Sequence, residues 1–152
     1  KTTSGSLQRL FDSEKYELSY IFQNSVFLNR SVEENLNHVL FCKNINKNKW
    51  KSIILSVLKE FNLDYMLSLS LKSLSGGELQ LLALVRGILI HPDILFYDEP
   101  TNNLDRDNVE TIAKMIYKFH LDGSSIIIVS HDDVLTNILK HDEIVMKEGA
   151  LS

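Results

Sequence analysis

Two adjacent carboxylates, Asp98 and Glu99, close a run of four apolar residues, 94–97 (ILFY). Such a run suits a parallel strand buried on both faces. In an open parallel sheet, ligands collect at the carboxyl ends of the strands. One carboxylate at that edge can hold Mg²⁺, a hard cation that takes oxygen ligands and phosphates. Its neighbour can polarise a water for in-line attack on a phosphoryl group. A second apolar run, 125–129 (SIIIV), is followed by Ser130-His131-Asp132. A histidine there can hydrogen-bond a terminal phosphate oxygen. Segment 74–80 (LSGGELQ) heads a helical stretch. Ser75 is a good N-cap, Gly76 and Gly77 let a ligand approach the backbone, and the free N–H groups of a helix start attract anions. Gln23 ends the short β-prone run 18–22 (LSYIF), where its carbonyl can ligate a metal or a water. Each fragment alone also fits a bland role: a charged turn, a capped helix, a structural histidine, a solvated turn residue.

The elements that must position these residues follow from hydrophobic periodicity. The first ten residues are loop-like, with a turn at Ser4-Gly5-Ser6. From Ser31, which can cap, Val32, Leu36, Val39 and Leu40 recur at helical spacing behind Glu33 and Glu34 in the first turn. A second amphipathic helix is predicted over 49–61, with Trp50, Ile53, Ile54, Val57 and Leu58 as its core stripe. The apolar helix 78–90 ends at His91-Pro92, because the residue before proline disfavours helix. Residues 105–120 place Val109, Ile112, Met115, Ile116 and Phe119 on one side of another helix. Segment 125–129 is predicted as a second strand buried on both faces, 132–140 as a short helix, and 143–146 (EIVM) as a further strand before a turn at Glu148-Gly149. The second half thus alternates strand and helix, as a parallel α/β sheet does. Residues 31–72 look purely helical, an insertion beside that sheet.

Composition sets bounds. Hydrophobic residues make up 44% and charged residues 24% of the 152, the balance of one ordinary globular domain. A formal net charge of −4 argues against a nucleic-acid binder, which normally shows a basic face. The one cysteine, Cys42, supplies neither a disulfide framework nor a metal set, and fits a structural thiol in a reducing compartment. No apolar run approaches the ~20 residues that span a bilayer, and residues 1–10 do not form a signal peptide.

In this order, the fragments resemble the ATP-binding-cassette (ABC) family. Segment 74–80 resembles that family's signature, usually written LSGGQxQ; ILFYDEP (94–100) resembles its Walker B strand with the catalytic glutamate. TNNLD (101–105) is similar to the D-loop, VSHD (129–132) to the switch-histidine segment, and YIFQN (20–24) to the Q-loop. FLNRSVEENL (27–36) is similar to the exporter pattern near the Q-loop, and Thr3-Ser4-Gly5 to the turn preceding it. The resemblance covers essentially the whole chain. It departs at Glu78, where glutamine is frequent, and at Leu81, where arginine is. It also departs by absence: no GxxxxGK(S/T) occurs, and the adenine-stacking aromatic is missing. Lys1-Thr2-Thr3 mimics only the tail of such a loop, with Gln23 following too soon.

The resemblance implies a P-loop NTPase-like α/β core, partial, with a helical subdomain. Residues 1–23 would end the N-terminal part, 24–73 form the helical subdomain, and 74–152 carry signature helix, Walker B, D-loop and switch histidine. It implies ATP and Mg²⁺, with Asp98 anchoring the metal and Glu99 as general base. Gln23 would touch metal or water, and His131 the γ-phosphate. Ser75, Gly76, Gly77, Glu78 and Asp105 would take part in ATP binding, the signature residues toward ATP held by a second, head-to-tail domain. The remaining partner would be a transmembrane transporter domain, met through the Q-loop and helical subdomain at the cytoplasmic face of the cell membrane. Four functions compete. The exporter ATPase is favoured by 27–36, and a soluble translation-factor ATPase by TNNLD. A chromosome-maintenance ATPase is opposed by the lack of sustained heptads, and a degenerate cassette by intact Glu99 and His131. Without the phosphate loop, the chain alone is expected to bind ATP weakly and to hydrolyse none measurably.

Overall fold

The computed structural model describes residues 16–102, 104–139, 142, 144–147 and 150–151. The predicted turns at Ser4-Gly5-Ser6, Thr3-Ser4-Gly5 and Glu148-Gly149 lie outside the described residues. Three strands, β1 (Leu18–Ile21), β2 (Ile94–Asp98) and β3 (Ser125–Val129), form a parallel sheet in the order β1-β2-β3. In register, Ile21 pairs with Tyr97 and Tyr97 with Ile128, while Asp98 pairs with Val129. All three strands therefore end along one edge. A separate two-stranded antiparallel pair, β4 (Met146–Lys147) and β5 (Ala150–Leu151), shares only Met146 with the strand predicted over 143–146, and residues 144–145 are not in a strand.

Among the described residues, five helices accompany the sheet: α1 (Val32–Cys42), α2 (Trp50–Glu60), α3 (Gly76–Ile88), α4 (Arg106–Leu121) and α5 (Asp133–Ile138). Their stripes pack as the periodicity demands. Val32, Leu36 and Leu40 of α1, Ile54, Val57 and Leu58 of α2, and Val109, Ile112, Met115, Ile116 and Phe119 of α4 are buried. α3 is apolar nearly all round and runs through the middle of the core, with residues 81–85 buried in succession. It stops at Ile88, and His91 then takes a left-handed backbone (φ 48°) before Pro92.

Residues 31–72 are not purely helical. The short turns Lys47–Lys49, Asp64–Ser68 and Leu71–Ser73 are 3₁₀, and an antiparallel bridge, Ser31 with Ser70, ties the ends of the region together. The Val32 N–H donates to the Leu69 carbonyl at 3.1 Å across that bridge. Asn35 is buried yet satisfied: its side chain accepts from the Leu28 N–H (2.9 Å) and donates to the carbonyls of Leu28 (3.1 Å) and Ser31 (2.9 Å). One amide thus shapes the loop that leaves β1. Cys42 is exposed at the end of α1, 3.6 Å from His38 Nε2, so it is not a core thiol.

β3 departs from its expected burial. Ile126 and Ile128 pack toward the helices, but Ile127 is 46% and Val129 60% exposed. Tyr20 (57%) and Phe22 (64%) are exposed on the same side, where the Tyr20 ring stacks on Phe96 at 4.5 Å. Strand side chains alternate between faces, and the described elements cover only one of the two.

Candidate functional site

The strand edge gathers Asp98, Glu99, Ser130 and His131, with Gln23 two residues beyond β1. Asp98 ends β2 exposed, on the same side of the strand as Phe96. Glu99 follows with φ 48°, a left-handed backbone that a residue with a Cβ adopts at a cost of ~1 kcal/mol. Its N–H donates to the Val129 carbonyl at 2.8 Å, so the turn is held by the neighbouring strand. That bend swings the half-buried Glu99 carboxylate across to β3, where its Oε1 lies 2.8 Å from His131 Nδ1. The hydrogen bond to Glu99, then its charge, raises the His131 pKa above the ordinary histidine value. The ring therefore holds its proton more tightly than a free histidine, and Nδ1–H donates to the carboxylate.

A second tie steadies this pair. Asp132 caps α5, accepting from the N–H groups of Val134 (2.8 Å) and Leu135 (3.4 Å). Its carboxyl is held below the usual range, first by a hydrogen bond from the buried Thr101 hydroxyl and then, against burial, by those N–H groups. The turn after Glu99 and the segment after His131 are thereby joined.

Gln23 is tied in through its backbone. Its carbonyl accepts from Gln80 Nε2 at 3.3 Å, and the buried Tyr97 hydroxyl donates toward the Gln80 carbonyl (3.4 Å) and Oε1 (3.5 Å). Gln80 thus links the end of β1, the middle of β2 and α3. Neither Gln80 nor Tyr97 was singled out as a site residue in sequence, although Gln80 is one of the few polar side chains of an otherwise apolar helix.

The glycine-led turn is a complete capping box. The Ser75 hydroxyl accepts from the Glu78 N–H (3.2 Å), while Glu78 Oε2 accepts from the Ser75 N–H (2.8 Å) and hydroxyl (2.9 Å). These bonds, the Ser75 backbone first, hold the Glu78 carboxyl below its ordinary pKa. The N–H groups of Gly76 and Gly77 have no partner four residues back, as in the first turn of any helix. The two glycines differ. A Cβ on Gly76 would meet nothing within 4 Å, whereas one on Gly77 would lie 2.4 Å from Asn108 Nδ2. Gly76 leaves room for a ligand; Gly77 is needed for the contact of α3 with α4. Asp105 caps α4, and both its oxygens are taken by Asn108, from the backbone N–H at 2.9 Å and from Nδ2 at 3.1 Å. The structure therefore brings Glu99 together with His131, and the Ser75 turn together with Asp105 through Asn108.

Among the described residues, no three His, Cys, Asp or Glu side chains converge to hold a metal by themselves. A single exposed carboxylate, Asp98, fits Mg²⁺ nonetheless, since that ion keeps several waters and is held by one or two carboxylates plus phosphates.

A parallel sheet with its carboxylates at the strand ends and a capped, glycine-led helix crossing the core is the architecture of ABC ATPases. The same fold occurs in a solved structure described as an inward-facing conformation of a metal-chelate type ABC transporter (TM-score 0.71, 21% identity, 82% of this chain and 52% of that one). The chain belongs to the ABC transporter family, whose model matches residues 2–102. It is 33% identical over 135 residues to the lipoprotein-releasing system ATP-binding protein LolD of Buchnera aphidicola, covering 88% of this chain and 59% of that protein. It is 32% identical over 130 residues to the cell division ATP-binding protein FtsE of Streptococcus pneumoniae, covering 85% and 56%. It is 31% identical over 122 residues to the tungstate uptake system ATP-binding protein TupC of Peptoclostridium acidaminophilum, covering 80% and 57%. The chain spans 56–59% of the length of these relatives.

Proposed function

We propose that this chain is part of an ABC domain that binds and hydrolyses ATP to power translocation of a substrate across a membrane, and that by itself it binds ATP weakly and turns over none measurably. The observation that carries the reading is the Glu99–His131 contact at 2.8 Å, beside Asp98 at the shared strand edge. Asp98 would hold Mg²⁺, which neutralises phosphate charge. Glu99 spends one carboxylate oxygen on His131 and keeps the other to take a proton from the attacking water. His131, protonated at Nδ1, leaves Nε2 toward the γ-phosphate. Gln23 would sense metal or water. Ser75 and the Gly76 N–H would meet the phosphate of ATP held by a second, head-to-tail cassette. Glu78 and Asp105 would serve that site by shaping its two helix starts, and Gly77 by letting them meet.

A membrane domain is the remaining partner, docking through residues 20–24 and the helical region 24–73 at the cytoplasmic face. Next to Gln23, Val26 is 84% exposed, on a loop stiffened by Arg86, whose Nη1 donates to the Val26 carbonyl at 2.6 Å while the guanidinium lies 4.5 Å over the Phe27 ring. The exporter direction rests on 27–36 alone; the relatives are named for release, division and uptake. No helix among the described residues is long and apolar enough to cross a membrane, so translocation would require that partner.

Because the sequence has no GxxxxGK(S/T), the test reads binding rather than turnover. Amide shifts of the labelled chain titrated with Mg²⁺-ATP should move at Gln23, Asp98, Glu99, Ser130 and His131, and less in Asp98→Asn. Shifts confined to other regions would sink the reading.

A further inference from the structure

The Glu78 carboxylate has three donors. Two belong to Ser75, on Oε2, and the third is the Tyr65 hydroxyl, 3.2 Å from Oε1. A serine hydroxyl carries one proton. Here that proton is committed to Glu78, so Ser75 turns a lone pair to anything approaching from outside. A phosphate oxygen also has only lone pairs to offer, and the nearby carboxylate adds like-charge repulsion.

The geometry points to Tyr65 and Glu78 as positioning residues that govern when Ser75 can donate to a phosphate. This rests on the reading of Ser75 as a phosphate contact. To serve it, the Ser75 proton must swing from Glu78 Oε2 to the phosphate. Glu78 then keeps two donors, the Ser75 N–H and the Tyr65 hydroxyl. Tyr65 grips the far oxygen of the carboxylate and restrains it from following the hydroxyl toward the incoming charge. Tyr65 lies on the turn Asp64–Ser68, so one hydroxyl lets the helical region set the polarity of a serine at the head of α3. Its phenol pKa is raised, first by burial and then by Glu78, which keeps the donor proton in place.

The test titrates inorganic tripolyphosphate, at low ionic strength, into the ¹⁵N-labelled 152-residue chain and follows the Ser75, Gly76 and Gly77 amides. It compares the unmodified chain, Tyr65→Phe, Glu78→Gln and the double variant. Tyr65 is exposed and phenylalanine keeps its ring, while glutamine keeps the capping acceptor, so all four retain the fold. Removing the charge in Glu78→Gln should tighten binding about fivefold. Tyr65→Phe should weaken it about threefold when Glu78 is present and leave it unchanged when Glu78 is glutamine. An equal Tyr65→Phe effect in both backgrounds, or no gain from Glu78→Gln, overturns the inference while leaving Ser75 a phosphate contact. No response at these amides in any of the four overturns the phosphate role of Ser75, and the inference with it.

Discussion

Ile126 and Ile128 of β3 lie against the helices, while Ile127 and Val129, each one residue away, face outward and stay exposed. The same division runs across the sheet. Ile21, Leu95 and Tyr97 are buried on one face; Tyr20 and Phe22 are exposed on the other, with Phe96 half-buried under the Tyr20 ring. The two faces carry the same kinds of side chain, so chemistry does not separate them. The partner does: α3 passes over one face, and no described helix is laid on the other. An apolar strand pattern states a demand for cover, and only tertiary structure says whether the demand is met.

Mutations can break that contrast. Leu95→Ala should cost ~3 kcal/mol in urea unfolding, as core leucine truncations do. Ile127→Ala should cost under ~1 kcal/mol. Equal losses would mean that the outer face is covered after all. The bare face should also make the chain self-associate as concentration rises, with Val129→Lys returning it toward monomer in sedimentation. A chain that stays monomeric at high concentration would contradict this. A finer probe is the pair of tyrosines. Tyr97→Phe should cost ~1 kcal/mol through the lost bonds to Gln80, whereas Tyr20→Phe should be neutral within ~0.5 kcal/mol.

The smallest effect lies at the rim where the faces meet. By NMR, the His131 midpoint should lie above the ordinary 6.5 and fall back in Glu99→Gln. Since the folded value is raised, the pairing stabilises the chain fully below the ordinary histidine value. The contribution fades as pH climbs through the raised one.

What was legible in sequence was local. Ser31 and Ser75 announced their helices as capping residues, and the structure closes a capping box with a glutamate three residues on at each. The stripes of α1, α2 and α4 announced their buried faces. The strand edge was legible as well, because apolar runs ending in Asp98-Glu99 and Ser130-His131 mark strand ends directly. What escaped joins distant residues. The Gln23–Gln80 bond spans 57 positions and the Tyr65–Glu78 bond 13, and neither leaves a trace in spacing. The exposure of Cys42, Ile127 and Val129 escaped for the related reason that burial depends on what packs opposite. The sequence did not single out Asn35, and only the fold shows the loop it anchors.

Gly77 has no room for even a methyl group, because Asn108 sits against it, pinned in turn by Asp105. The outcome is mechanical. The heads of α3 and α4 meet where Gly77 lies against the Asn108 side chain. A side chain at position 77 would have to push Asn108 aside and break its bonds to Asp105, loosening the start of α4 along with that of α3.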